Sequence, residues 1–201
     1  MKDTLEDLLE QIIELEKRVS SEIDKKQSKL KYKIIKRKIL FEKEVQKLHR
    51  KFSVSLPKYL ISASILSYLI SPFIYSMIIP ALLLDLFVTV YQWVCFPVYK
   101  TPYIKRSDYI IIDRHYLKYL NLLERFNCVY CGYFNGLLAY VTEISAVTEH
   151  YWCPIKHARN AKRNHSLYPS FMDYGDGSNY RKGLEDLREM LKQHNKEKSK
   201  K

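Results

Sequence analysis

Between Lys58 and Lys100 the chain runs for 41 residues with no Lys, Arg, Glu or His and a single acid, Asp85. Water-soluble domains rarely sustain such a run. As continuous helix it would extend about 62 Å, roughly twice the ~30 Å hydrocarbon thickness of a bilayer. The length predicts two membrane helices, residues 59–79 and 80–99, folded as a hairpin that turns near Ser76 to Pro80. A re-entrant hairpin is the variant if the turn, which has almost no polar residue, stays inside the membrane. Any break at Pro72 or Pro80 would then need protein or water around it. The mean hydropathy of −0.31 hides this segment because the flanks are so polar.

Charge supports membrane attachment. Residues 1–16 carry a net −5, residues 17–58 a net +11, residues 59–155 balance, and residues 156–201 add +6. Lys100, Lys105, Arg106 and Arg114 make the second flank basic as well. Basic flanks stay cytoplasmic, so two of them predict an even number of spans, a bacterial inner-membrane location and both termini inside. The charged N-terminus does not read as a cleavable signal peptide. Tyr59, Tyr68, Tyr75, Tyr91, Trp93, Tyr99 and Tyr103 fit interfacial belts. Asp85, an acid at membrane depth, is a functional suspect by default, but the apolar segment offers it no basic partner.

Ahead of the membrane, Leu5, Leu8, Ile12, Leu15 and Val19 recur at spacings of three and four, a coiled-coil-like seam. With no Gly or Pro before Pro57, one helix is expected from about Asp3 to Ser53. Lys31, Lys33, Lys36, Arg37 and Lys38 lie in a basic amphipathic stretch suited to anionic lipid headgroups, each contributing about 1 kcal/mol near the surface. Nucleic acid is disfavoured as a partner because no recognition fold accompanies the charge. A second copy of the chain or a membrane partner protein is expected on the acidic seam.

The cysteines carry the candidate chemistry. In a cytoplasmic domain, clustered thiols more often hold metal than form disulfides. Cys128 and Cys131 stand three apart, and Cys153 and His157 follow; together they make a Cys3His set, the ligand count of a closed tetrahedral zinc site. Glu143, Glu149 and His150 are candidates to orient the ligands through hydrogen bonds. Cys128-Val129-Tyr130-Cys131-Gly132-Tyr133 resembles the first ligand knuckle of rubredoxin, and Trp152-Cys153-Pro154 resembles the approach to the second. That resemblance covers about a dozen residues and implies ligand roles for Cys128, Cys131 and Cys153 alone. At the fourth position it departs, with Lys156 where a cysteine is expected and His157 as the substitute; this favours zinc over iron. The wider chain resembles a family of bacterial membrane proteins, which implies no activity.

The expected fold is mostly α. Residues 1–57 form a coiled-coil and basic helix, 58–100 the membrane hairpin, 101–165 a small helical Cys/His domain, and 166–201 a basic tail. In that tail Leu184, Leu187 and Leu191 mark a short amphipathic helix, and residues from Asn195 are expected to be disordered. The expected function is a membrane-anchored metal-binding scaffold or adaptor. The alternative is an iron redox protein or metal-dependent enzyme at the membrane surface. No P-loop, dinucleotide glycine pattern or Gly-x-Ser-x-Gly is present, so nucleotide and serine-hydrolase chemistry have no support.

Overall fold

The computed structural model describes residues 11, 14–22, 24–25, 32–35, 38–41, 43–159 and 161–199. The chain is mostly helical and divides into two compact units. One contains Met1–Ile61 with Asp113–Arg125, the other Ser62–Ile112 with Phe126–Lys201.

In the first unit, residues 14–22 and 24–25 are helical, but the expected uninterrupted helix is broken. Strands β1 (Tyr32–Ile35) and β2 (Lys38–Phe41) pair antiparallel, with Tyr32 opposite Phe41 and Ile35 opposite Lys38. Tyr32, Ile34, Ile35, Ile39 and Phe41 are β-branched or aromatic, and such residues favour a pleated strand over helix. Lys31, Lys36 and Arg37 lie outside the described residues, whereas Lys33 and Lys38 belong to the strands. The coiled-coil seam is not supported either. Leu5, Leu8 and Ile12 fall outside the described residues, and Leu15 and Val19 are more than half exposed.

Helix α1 (Lys43–Lys51) ends on His49, Arg50 and Lys51, cations suited to the negative end of its dipole. Helix α2 (Leu56–Ser62) follows. A 3₁₀ turn at Arg114–Tyr116 leads to Asn121, which starts the longest helix. There the Asn121 side chain accepts from the Glu124 backbone N–H at 3.0 Å, and Glu124 accepts from the Asn121 N–H at 2.8 Å. This reciprocal cap satisfies two donors that the first turn would otherwise orphan.

The second unit contains α3 (Ile65–Ser76), α4 (Ile78–Tyr99), most of α5 (Leu122–Trp152), and α6 (Tyr180–Ser199). The expected hairpin between residues 76 and 80 does not form. Met77 stays right-handed helical (φ −61°, ψ −14°), and Ala81 N–H bonds to Met77 C=O at 3.3 Å. Pro80 causes no reversal because it occupies the first turn of α4, where its missing N–H is not needed. The two predicted spans are therefore one apolar rod, Ile65–Tyr99, of 35 residues and mean hydropathy 2.1 over its most apolar stretch. Among the described residues this is the one helix long and apolar enough to cross a membrane.

Contacts between the rod and α5 fix their direction. Tyr75 meets Asn127, Asp85 meets Tyr133, Gln92 meets Tyr140 and Tyr91 meets Thr148, at sequence separations of 52, 48, 48 and 57. A nearly constant offset means that the two helices run parallel. Parallel neighbours need a connection that travels back along their whole length. From Tyr99 back to the level of Asp85 the rod is about 21 Å long, which twelve residues can span even with a 3₁₀ turn at Arg106–Asp108. Residues 101–112 do this: Ile104 pairs with Gln92, Arg106 with Asp85, Tyr109 and Ile110 pass Gly136, and Ile111 reaches Gly132. Ile110 to Ile112 belong to no helix or strand.

Gly132 and Gly136, one turn apart on α5, make the groove that admits this returning chain. A Cβ at Gly136 would lie 2.7 Å from Tyr109 C=O and 2.8 Å from Ile110 Cα, both backbone atoms that cannot swing aside. One at Gly132 would lie 3.4 Å from Ile111 C=O, an ordinary contact. The core assembled around them contains Ala81, Phe96, Leu137, Tyr140, Ile144 and Val147, with Ile104, Tyr109 and Ile110 packed against it. Residues 101–112 and α5 therefore share one core with the rod, rather than forming a domain separate from it.

Parallel helices also bring two C-termini, and two negative dipole ends, to the same place. Here α6 covers them. Arg188 Nε donates to Tyr151 C=O at 2.8 Å and Asn195 Nδ2 donates to Lys100 C=O at 3.1 Å. Leu184, Leu187 and Leu191 are buried, as their helical spacing predicts, and the helix runs on to Ser199 rather than dissolving at Asn195.

Gly136→Ala is expected to destabilise the protein by about 1–3 kcal/mol through overpacking. Gly132→Ala should be neutral or slightly stabilising, because alanine is the better helix former by about 1 kcal/mol. Thermal unfolding of the two variants in detergent, read by near-ultraviolet circular dichroism, should show these opposite signs.

Candidate functional site

The inner face of α4 is polar although the helix as a whole is apolar. Ala81, Asp85, Thr89, Gln92 and Phe96 recur every three or four residues, so they share one face. Ala81, Asp85, Gln92 and Phe96 are buried and Thr89 is half-buried. Ile79, Leu82, Leu83, Leu86, Phe87, Val90, Val94 and Val98 are all exposed on the opposite side. This is the reverse of a soluble helix, which turns its apolar stripe inward.

Asp85 is the centre of the inner face. Its carboxylate accepts from the Arg106 guanidinium, from Tyr133 O–H at 2.7 Å and from Thr89 Oγ1 at 3.4 Å. Arg106 also lies 5.9 Å from the Tyr133 ring centre, within cation–π range. The basic partner that the apolar segment lacks thus arrives from the returning chain, 21 residues later. The Asp85 side chain keeps 11% of its exposure and Arg106 keeps 43%, so the charge pair is sealed on one side and wet on the other.

Two turns along, Gln92 is completely buried and fully paired. Its Nε2 donates to Ile104 C=O at 3.2 Å and to Tyr140 Oη at 3.0 Å, and its Oε1 accepts from Ile104 N–H at 3.0 Å. The side-chain amide replaces the neighbouring strand that Ile104 lacks. An unpaired buried amide costs about 1–3 kcal/mol, so this exchange ties the returning chain to both helices at once. Tyr91 and Thr148 share a hydrogen bond at 3.0 Å, and Tyr130 O–H donates to Ile74 C=O at 2.5 Å.

The expected metal set is not gathered. Cys128 and Cys131 lie early in α5, and Cys153 and His157 follow its C-terminus. About 32 Å of helix separates Cys131 from Trp152, more than any ligand side chain can bridge. The four cysteines are free, and among the described residues no group of three or more His, Cys, Asp or Glu is placed to hold a metal ion. A shared site would require the chain between Cys131 and Cys153 to fold back on itself, but Leu122–Trp152 is a single helix. Gly132 lies within the helix, next to Ile111 of the returning chain.

The residues proposed to orient those ligands have other partners. Ser166 Oγ donates to Glu143 at 2.6 Å, and Glu149 lies 3.2 Å from His165 Nε2. His150 is buried edge-on against Phe171, with its Nδ1 unpartnered among the described residues. His157 stacks on Tyr168 at 5.9 Å. Burial lowers the His150 pKa below the usual imidazole value, and nearby His165 acts in the same direction.

Sequence reasoning missed Arg106, Gln92, Tyr133, Tyr140 and His165. A usable signal was present for the α4 residues: the polar positions 85, 89 and 92 have helical spacing within an otherwise apolar run. Comparison with family models, curated proteins and solved structures finds no match to this chain.

Removing Arg106 leaves the Asp85 carboxylate buried without its cation. Arg106→Ala should therefore destabilise by about 1–3 kcal/mol, less than the ~3–5 kcal/mol of a fully buried pair because Arg106 is partly wet. The double variant Asp85→Asn/Arg106→Ala should lose less than the sum of the two single losses, a coupling readable from a thermal double-mutant cycle.

Because the native state holds His150 neutral, nothing is lost above about pH 6.5, the ordinary histidine value. Below it the unfolded chain takes up the proton first, so stability falls as pH drops. His150→Gln should flatten the dependence of melting temperature on pH in that window.

Proposed function

We propose that this protein is a non-catalytic membrane anchor and scaffold, fixed in the bilayer by the outer face of α3 and α4. The observation that carries the reading is the inverted amphipathicity of α4: charged and amide side chains inward, uninterrupted aliphatic and aromatic side chains outward. In water such a face is an aggregation liability, and soluble monomers rarely expose so large an apolar patch. In lipid it needs no further partner. Helix α3 fits the same surroundings, since Ile65, Leu66, Leu69, Ile70, Phe73 and Ile74 are exposed along one side of it.

The returning chain sets the depth. Lys105, on irregular backbone, and Asp108, in the single 3₁₀ turn Arg106–Asp108, are both exposed, and charged side chains on such short, open backbone are not tolerated in hydrocarbon. That face belongs in water or among headgroups, while the opposite face of α3 and α4 contacts acyl chains. The basic segment 17–58, with Lys31, Lys33, Lys36, Arg37 and Lys38, adds attraction to an anionic leaflet. The metal, zinc or iron, has no role in this reading because its ligands stand apart, and an oligomer or membrane partner protein is the remaining recipient of a scaffold.

Flotation with vesicles tests the anchor. The full-length protein should float with neutral phosphatidylcholine vesicles and resist extraction by alkaline carbonate. Leu86→Lys/Val90→Lys, which puts two charges on the outer face, should shift it to the soluble or aggregated fraction. A wild-type protein that remains soluble, monomeric and vesicle-free would refute the proposal.

A further inference from the structure

The seam between α4 and α5 has two flanks, and they are treated differently. One is sealed by residues 101–112 lying over Gly132 and Gly136. The other keeps an unfilled cleft of about 170 Å³ beside the Met77 junction, partly open to the outside. Ala81 and Leu137, both buried, form its floor; Pro80, Phe134 and exposed Leu138 stand around it, with Leu84 alongside. Every lining side chain is apolar. Water entering it would find no hydrogen-bond partner among these side chains.

We propose that this cleft is a lipid site that retains the end of one acyl chain. Three observations support that occupant. The lining offers no hydrogen-bond partner to a peptide backbone or polar ligand. Two of its lining residues, Met77 and Leu138, are themselves exposed, and Phe73 and Ile74, one helical turn before Met77, belong to the exposed face assigned to the bilayer, so hydrocarbon reaches the cleft without crossing a polar barrier. Its shape is held from behind by the Asp85–Tyr133 hydrogen bond and by the returning chain, so it cannot easily collapse on itself. Van der Waals contact with a methylene chain would recover the packing that the walls forgo. The inference rests on the membrane reading above.

Bromine quenching of tryptophan distinguishes a retained chain from passing lipid. In a Trp93→Phe/Trp152→Phe background, one variant carries Leu138→Trp at the rim of the cleft and another Val94→Trp on the open apolar face. Each full-length protein is reconstituted in phosphatidylcholine vesicles with increasing proportions of the dibrominated lipid. A retained chain predicts that the Leu138→Trp signal follows single-site exchange, with quenching set by one lipid, whereas Val94→Trp follows the several lipids of an annulus. Adding Ala81→Leu, which fills the floor, should return the Leu138→Trp curve to the annular form. Identical curves for both tryptophans before the filling substitution would overturn the cleft proposal and leave the anchor intact. Occupation by a second copy of the chain would appear as Leu138→Trp shielded from bromine at every lipid composition, and would also overturn it. No quenching at Val94→Trp would instead overturn the membrane reading itself.

Discussion

Asp85 and Gln92 cannot be left unpaired in an apolar helix, and the rest of the second unit is arranged to meet that demand. Two turns of α4 apart, they require a cation, two hydroxyls and a peptide group. Arg106 and the Ile104 backbone come from the returning chain, and Tyr133 and Tyr140 come from α5. Neither helix alone nor the returning chain alone satisfies the set. A register slip of the chain by one residue would leave a buried carboxylate and a buried amide unpaired at once. The polar seam therefore acts as a positional lock, in a structure where apolar packing by itself would permit sliding.

That lock explains choices elsewhere. Parallel helices are forced once Asp85 pairs with Tyr133 and Gln92 with Tyr140 at the same offset. The parallel arrangement requires a returning chain, and Gly136 allows that chain to lie close. It also concentrates two helix C-termini, where Arg188 and Asn195 supply donors and Arg188 supplies positive charge. The guanidinium further stacks 4.7 Å from the Tyr151 ring centre. A helix that reads as a detached tail is thus the closure of the bundle, and Glu149 and His150 meet His165 and Phe171 of the loop that precedes it.

The apolar run, the mostly helical class and the amphipathic pattern of Leu184, Leu187 and Leu191 were all legible in the sequence. These depend on local periodicity. The hairpin between residues 76 and 80 was not real, because length alone cannot distinguish two short spans from one long rod, and Pro80 in a first turn mimics a break. The Cys3His set failed for a related reason: ligand counting presumes a chain that folds back, whereas residues 122–152 form one helix. Arg106 was invisible as a partner because no local rule connects an acid to a cation across a 21-residue excursion. The strand pair Tyr32–Ile35 and Lys38–Phe41 was concealed by its lysines, which drew attention to charge while the isoleucines and aromatics set the backbone.

The central claim is that α4 faces lipid with its apolar side and protein with its polar side. Spin labels placed singly at residues 79 to 98 of the vesicle-bound protein, in a cysteine-free background, test it directly through collision with oxygen and with a water-soluble nickel chelate. The account predicts oxygen accessibility with a helical period, high at positions 79, 82, 83, 86, 87, 90 and 94 and low at positions 81, 85, 92 and 96. Accessibility to oxygen that is uniformly low, or nickel accessibility that dominates at the outer positions, would contradict it.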